Sequence, residues 1–299
     1  MDNSILKSCT LCPRACKTNR TLGQTGYCKA DDRIKIAKAY LHQWEEPPLS
    51  GTNGSGTVFF SHCNMGCVFC QNYKISSLHH GKYVTIEELS DIFLDLEKQK
   101  AHNINLVTPT HYIPQIANAL ILAKDKCLKI PVVYNCGGYE SVDALKLLDG
   151  LIDIYMPDMK YFDDKYAIKY SNAPHYFEYT KKAINEMYRQ TGKNKFNNND
   201  MMTKGVIVRH MMLPGLLFDS KKILDYLYSE YGDNIYISIM SQYTPMPNAI
   251  NYPEINKTVS KRYYETLVNY ATELGIKNAF IQDGTSVGES FIPDFYNKE

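Results

Sequence analysis

Hydrophobic positions recur along this chain with two alternating periods. TVFFS (57–61) is a short apolar run, rich in β-branched and aromatic residues, and predicts a strand. In TIEELSDIFLDLEKQK (85–100), Ile86, Leu89, Phe93 and Leu96 fall on one helical face, and Thr85 with Glu88 makes a capping box. INLVT (104–108) predicts the next strand, 111–126 a helix that tolerates Pro114 in its first turn, and PVVYN (131–135) a strand. Residues 141–150 read as a helix from Ser141 as N-cap to Gly150 as its stop, and LIDIYMPD (151–158) as a strand. Helical material follows over 163–191, then a polar surface loop over 193–200. Strands are expected at 205–212, 234–242 and 278–284, helices at 220–232 and 258–275, and a long loop at the proline-rich 244–254.

Strand then helix, repeated about six times, means βα units and a parallel sheet. The strands are short and mostly apolar, as for strands covered on both faces. The expected fold is α/β, a partial (β/α)6-type parallel barrel over 51–299, with a doubly wound open sheet as the alternative. Residues 1–50 do not join the alternation and read as a small cysteine-rich N-terminal extension. SGTNGSG (50–56) resembles a linker or glycine-rich loop into the first strand.

Composition narrows the function. Of 299 residues, 33 are Lys or Arg and 32 Asp or Glu, a balance that argues against a nucleic-acid-coating protein. No apolar run approaches the roughly 18 residues of a membrane span. The opening MDNSILKSCTLCPRACK lacks a signal-peptide core, so a cytoplasmic protein is expected. In that compartment nine cysteines point to metal or cluster ligation rather than to disulfides.

Seven of the nine are clustered, at 9, 12, 16 and 28 and at 63, 67 and 70; Cys127 and Cys136 read as small buried hydrophobes. Cys63-x3-Cys67-x2-Cys70 follows the first strand. Three thiolates are one short of a structural zinc site, and they leave one iron of a [4Fe–4S] cube open for substrate or cofactor. Gly66 lets the loop fold tightly, and Phe69 adds an apolar wall. Sites in parallel α/β folds form at the carboxyl ends of strands. There the chain places Thr110 and His111, Asn135, Asp158 and Lys160, Arg209 and His210, Gln242, and Gln282 with Asp283. Cys9, Cys12, Cys16 and Cys28 could close a zinc site or hold a second iron–sulfur cluster, with Arg14, Lys17 and Arg20 stabilising the thiolates. His111 and His210 are candidate proton donors. His62, His79 and His80 flank the cysteine loop, and His42, His102 and His175 read as surface or capping residues.

The loop Cys63-x3-Cys67-x-Phe69-Cys70 resembles the signature of the radical S-adenosylmethionine (radical SAM) superfamily, including the aromatic before the third cysteine. CNMGCVFCQN, YMPDMKYFD and VIVRHMMLPG are similar to its pyruvate formate-lyase activating-enzyme-related branch, and LCPRAC…GYC also occurs in members of that branch. The resemblance covers roughly residues 55–285, under the size expected of such barrels. It implies that Cys63, Cys67 and Cys70 each bind one iron and that the fourth iron chelates S-adenosylmethionine. An electron from the cluster, supplied by a donor such as flavodoxin or ferredoxin, would give methionine and a 5′-deoxyadenosyl radical that takes a hydrogen from the substrate.

Where the family carries a Gly-Gly-Glu-Pro-like stretch, this chain reads Thr108-Pro109-Thr110-His111, so the Thr110 hydroxyl or backbone carbonyls would serve the methionine amino group. Lys160 would pair with the cofactor carboxylate and Asp158 would receive a donor from it. Asn135 and Arg209 are further contacts. The bland alternative for Asp158 and Lys160 is a solvated ion pair worth under about 1 kcal/mol. An activase-like reaction on a partner protein and a small-molecule substrate both stay open. The eight-cysteine insert of some activases is absent. The alternative from another class is a non-redox zinc scaffold, which would need a fourth ligand such as His62 for the loop.

Overall fold

In the computed structural model, which describes residues 3–282, the apolar segments form one curved sheet. Its strands are β1 (Ile34–His42), β2 (Ser55–Phe60), β3 (Lys82–Val84), β4 (Ile104–Val107), β5 (Val132–Cys136), β6 (Ile154–Pro157), β7 (Lys195–Phe196), β8 (Met202–Met211), β9 (Tyr236–Met240) and β10 (Ala279–Ile281). The helices are α1 (Pro47–Ser50), α2 (Tyr73–Ser76), α3 (Ile86–Lys98), α4 (Ile113–Asp125), α5 (Val142–Lys146), α6 (Asp164–Ser171), α7 (Tyr176–Thr191), α8 (Leu217–Tyr231) and α9 (Lys261–Leu274).

Strands β2, β4, β5, β6, β8, β9 and β10 lie side by side in chain order, all parallel. A doubly wound sheet reverses its order at a switch point; this sheet does not, and it is the partial barrel. One parity of side chains, including Leu106, Tyr134, Tyr155 and Val208, packs beneath the helices in the main core. The other parity faces the concave side, where Val133, Ile154, Met156 and Ile207 pack with Leu49. The expected caps form at α3, where Thr85 and Glu88 bond reciprocally, and at α4, which carries its proline in the first turn.

The sequence reading missed β1. Residues 34–42 pair antiparallel with β2, Ile36 opposite Phe60 and His42 opposite Ser55, and β3 pairs with β1 in turn. The segment 50–56 is no free linker. Gly54 N–H donates to Ser50 O at 2.8 Å, and Ser55 and Gly56 already belong to β2. A Cβ on Gly56 would stand 2.8 Å from the Asn103 carbonyl oxygen, so the glycine permits close strand approach. The polar loop 193–200 contains β7, which pairs with the start of β8. Cys127 is exposed rather than buried, whereas Cys136 is buried as expected. Asp283 and the end of the last predicted strand lie outside the described residues.

Candidate active site

Strand β2 delivers the chain to the cysteine loop at its carboxyl end. His62 takes the left-handed conformation (φ 75°) that turns the chain. Gly66 N–H donates to Ser171 O at 3.0 Å and Val68 N–H to Tyr170 O at 2.9 Å, which pins the loop to the end of α6. A Cβ on Gly66 would stand 2.6 Å from the Tyr27 hydroxyl. Cys63, Cys67 and Cys70 line one cavity of about 570 Å³, with Met65 and Phe69 beside them. That volume lies in the range of small-molecule and cofactor pockets.

Each sulfur receives polar contact. Met65 N–H points at Cys63 Sγ at 3.4 Å, the Ser171 hydroxyl at Cys67 Sγ at 2.9 Å, and Ser76 Oγ lies 3.3 Å from Cys70 Sγ. With Ser171 donating to the sulfur, Tyr161 OH donates to Ser171 at 2.7 Å. Burial pushes all three thiols up, Cys67 to about 11, against the pull of the Lys160 ammonium. The all-thiol donor set with N–H and O–H groups aimed at sulfur suits thiolates bound to iron, which hydrogen bonds and burial tune. His62 turns away: its Nδ1 lies 3.1 Å from the Cys28 carbonyl oxygen, and its ring stacks on His79 at 4.3 Å.

Next to the thiols stands a polar ladder from successive strands. Arg209 Nε donates to Asp158 Oδ1 at 2.9 Å and its Nη2 to Asn135 Oδ1 at 2.7 Å. Lys160 Nζ donates to Asp158 Oδ2 at 2.5 Å. Burial alone would raise the Asp158 pKa, but Arg209 and Lys160 hold it below the usual carboxylate value. Burial likewise opposes the Lys160 charge, and Asp158 outweighs it, so its pKa is raised. Side-chain exposures of 13% for Asp158 and 17% for Lys160 rule out the solvated pair. Asn135, Asp158, Lys160 and Arg209 all line the thiol cavity.

Thr110 is elsewhere. Its hydroxyl donates to Glu140 Oε1 at 2.7 Å, it is 1% exposed, and it is not on the cavity wall, which Thr108 reaches instead. His111 lines the N-terminal cavity described below, and its Nε2 lies 2.7 Å from the Ser61 carbonyl oxygen. His210 Nδ1 lies 2.7 Å from the Met159 carbonyl oxygen. His42, read as a surface or capping residue, lines the cavity with Trp44, Glu45 and Glu46, and Ser238 and Met240 of β9, Gln242 beyond it and Gln282 after β10 join the wall. The signal for the first group was the acid pair ahead of a proline, hidden in a segment assigned to the extension. For Ser238 it was the polar inward position of an otherwise apolar strand.

Cys9, Cys12, Cys16 and Cys28 line one small cavity with Arg14, Arg20 and Tyr27. Cys9 N–H donates to Thr18 O and Lys17 N–H to Cys9 O, and Ala15, Lys17 and Lys29 take positive φ. The knot packs directly on the cysteine loop. Arg14 Nε donates to Asn64 O at 3.0 Å, its Nη2 reaches Asn172 O, and its guanidinium lies 3.6 Å above the Tyr27 ring. Asn172 Nδ2 donates to Tyr27 OH at 3.0 Å. Burial pushes Cys12 up to about 12 and also raises Cys28.

Comparison with known proteins decides the family. The radical SAM superfamily model matches residues 57–227, more than half of the chain. The chain belongs to the radical SAM superfamily. Membership carries a [4Fe–4S] cluster, S-adenosylmethionine cleaved at it, and radical chemistry. An uncharacterized protein of Methanocaldococcus jannaschii is 29% identical over 283 residues, covering 91% of this chain and 77% of its own. Among solved structures, Streptococcus suis SuiB bound to precursor peptide SuiA superposes with TM-score 0.51 at 14% identity, over 74% of this chain and 46% of SuiB. The [FeFe]-hydrogenase maturase HydG gives 0.50 at 18% identity, over 73% and 48%. The radical SAM chain thus spans about half the length of these structures, and they share its fold. Among its described residues no helix is long and apolar enough to cross a membrane.

Proposed function

We propose that Cys63, Cys67 and Cys70 hold the [4Fe–4S] cluster, that Asp158, Lys160, Asn135 and Arg209 line the S-adenosylmethionine site, and that the radical abstracts hydrogen from a substrate in the same cavity. The observation that carries this is the convergence of the three thiols and the polar ladder on one cavity. When bound, the cofactors supply the reductive cleavage that yields the radical; the chain's task is to bind, orient and keep water out. Lys160 gives one N–H to Asp158 and keeps two more donors, whereas Arg209 is held by both Asp158 and Asn135, so Lys160 is the cation proposed to meet a carboxylate. Phe69 and Met65, 4% and 6% exposed, keep the thiol end dry. Electrons would come from a low-potential donor such as flavodoxin or ferredoxin.

A zinc ion at the loop is disfavoured because His62, its candidate fourth ligand, bonds toward Cys28 and not toward the thiols. The test is anaerobic turnover with a strong reductant, with 5′-deoxyadenosine read by mass spectrometry. Its absence from fully reconstituted wild type across candidate substrates overturns the reading. Lys160→Ala is expected to weaken cofactor binding roughly 10- to 100-fold, the scale of one charge-assisted hydrogen bond. Its iron content should stay at the wild-type level, since Lys160 is no ligand. Equal cofactor affinity would remove Lys160 from the site.

The N-terminal cysteines are proposed to hold a metal centre of their own, with iron and sulfide favoured over zinc. Four free thiols on one small cavity, beside two arginines, support it. A variant with alanine at 63, 67 and 70 should therefore keep a second metal complement, and metal analysis shows whether it is iron or zinc. Loss of both metals from that variant would make the independent centre untenable.

A further inference from the structure

The small N-terminal cavity has a donor on its wall that the cysteine spacing does not announce. His111 lines it beside the four thiols, although it belongs to the 3-10 turn after β4 and not to the extension. The residue is 2% exposed. Its Nε2 lies 2.7 Å from the Ser61 carbonyl oxygen. A carbonyl oxygen only accepts, so Nε2 carries the ring proton, and the neutral ring keeps a bare lone pair on Nδ1. That Nδ1 is buried and has no hydrogen-bond partner among the described residues. Buried polar atoms normally find a partner. A histidine that gives one ring N–H to a backbone carbonyl and its other nitrogen to a metal is the usual arrangement of a ligand. Thr18 Oγ1, on the same wall, is also buried without a partner among the described residues, and its O–H can donate to a thiolate.

The four sulfurs are not equivalent. The Arg14 and Ala30 backbone N–H groups reach Cys12 and Cys28, and Tyr27 N–H points at Cys16 Sγ at 3.3 Å. Backbone N–H groups aimed at sulfur suit metal-bound thiolates, as at the barrel loop. A Cβ on Gly26 would stand 2.7 Å from Cys16 Sγ, so the glycine leaves that sulfur its place. Cys9 differs. Its Sγ stands 3.9 Å from Arg20 Nη1, the nitrogen that donates to the His111 carbonyl oxygen, and the residue belongs to the main apolar core.

We propose that Cys12, Cys16, Cys28 and His111 ligate the metal centre of the knot, and that Cys9 is its neighbour and not its ligand. This rests on the reading of the N-terminal cysteines as a metal site, and it changes what that site ties together. Four cysteines of the extension would close the extension on itself. Three cysteines and His111 bind it to the barrel, three residues beyond Thr108 on the wall of the large cavity. Three sulfurs and one imidazole can serve a zinc ion or the irons of a cluster.

The test uses the full chain with alanine at 63, 67 and 70, grown with histidine labelled in heavy nitrogen. If the metal is zinc, X-ray absorption is expected to show three sulfurs and one nitrogen, the nitrogen at about 2.0–2.1 Å. If it is a cluster, pulsed paramagnetic resonance of its reduced form is expected to show a nitrogen coupling that changes with the label. In this background His111→Ala is expected to loosen the metal at least about tenfold in chelator competition, the least that losing even an outer partner of a ligand costs. In the wild-type background His111→Ala should lose the same metal complement as Cys12→Ala, and Cys9→Ala should lose none. Circular dichroism identifies a variant that failed to fold, and the two backgrounds stand independently. A metal bound by sulfur alone overturns this inference and leaves the N-terminal centre standing. Equal losses from Cys9→Ala and Cys12→Ala do the same. A folded chain with alanine at 63, 67 and 70 that holds no metal overturns both.

Discussion

Alanine at Cys63, Cys67 and Cys70 together is expected to remove about four irons per chain and all S-adenosylmethionine cleavage. The three thiols stand on one cavity wall, and the fourth cysteine of its lining, Cys136, is 2% exposed and packs in the main core. The other candidate ligands near the loop are already engaged. His62 bonds to the Cys28 carbonyl, and Asp158 is saturated by Arg209 and Lys160. Iron and sulfide analysis with product detection by mass spectrometry checks both parts. Retained turnover, or stoichiometric zinc in the wild-type loop, would show that these cysteines serve another metal.

Gly138→Ala is expected to have the largest effect on stability of any single methyl added near the site. Gly138 follows β5 with φ 82°, and a Cβ there would stand 2.2 Å from the Asp158 carbonyl oxygen and 2.9 Å from the Tyr176 hydroxyl. Both neighbours are fixed. Tyr176 OH lies 2.8 Å from the Gly137 and Asp158 carbonyl oxygens and accepts from Lys160 N–H at 3.0 Å. Backbone strain and overpacking together should cost roughly 2–5 kcal/mol. Gly150→Ala is the control. It shares the positive φ, 78°, but has nothing within 4 Å, so only the left-handed backbone, about 1–2 kcal/mol, is at stake. Urea denaturation of the two variants compares them, and equal stabilities would mean that the β5 exit relaxes around the methyl.

Much of the fold was legible because parallel βα units announce themselves twice, by apolar strands and by helices with one apolar face. Thr85 with Glu88 and the stop at Gly275 gave boundaries close to those observed, whereas α5 ends at Lys146, short of the expected stop at Gly150. β1 was not legible in that way. Ile34 and Ile36 carry a period of two, and both are buried. However, an antiparallel strand has no helix after it, and the cysteines nearby drew its residues into the extension. The ladder of Asn135, Asp158, Lys160 and Arg209 was found because polar groups at strand exits have few other reasons to be there. Thr110 followed from the same rule and failed, since the chain passes into a 3-10 turn that swings its hydroxyl to Glu140. Glu45 and Glu46 escaped because their place in the barrel depends on the missed strand.

The brace that the N-terminal knot makes with the cysteine loop also bears on how the cluster is assembled. Arg14 and Tyr27 hold Asn64, Gly66 and Asn172 from outside the barrel. In the folded chain the knot, itself closed by Arg20 Nη1 donating to His111 O, confines the thiol-bearing loop without help from iron. Deleting the knot should then slow cluster insertion far more than it loosens a cluster already in place, a difference between assembly rate and holding strength.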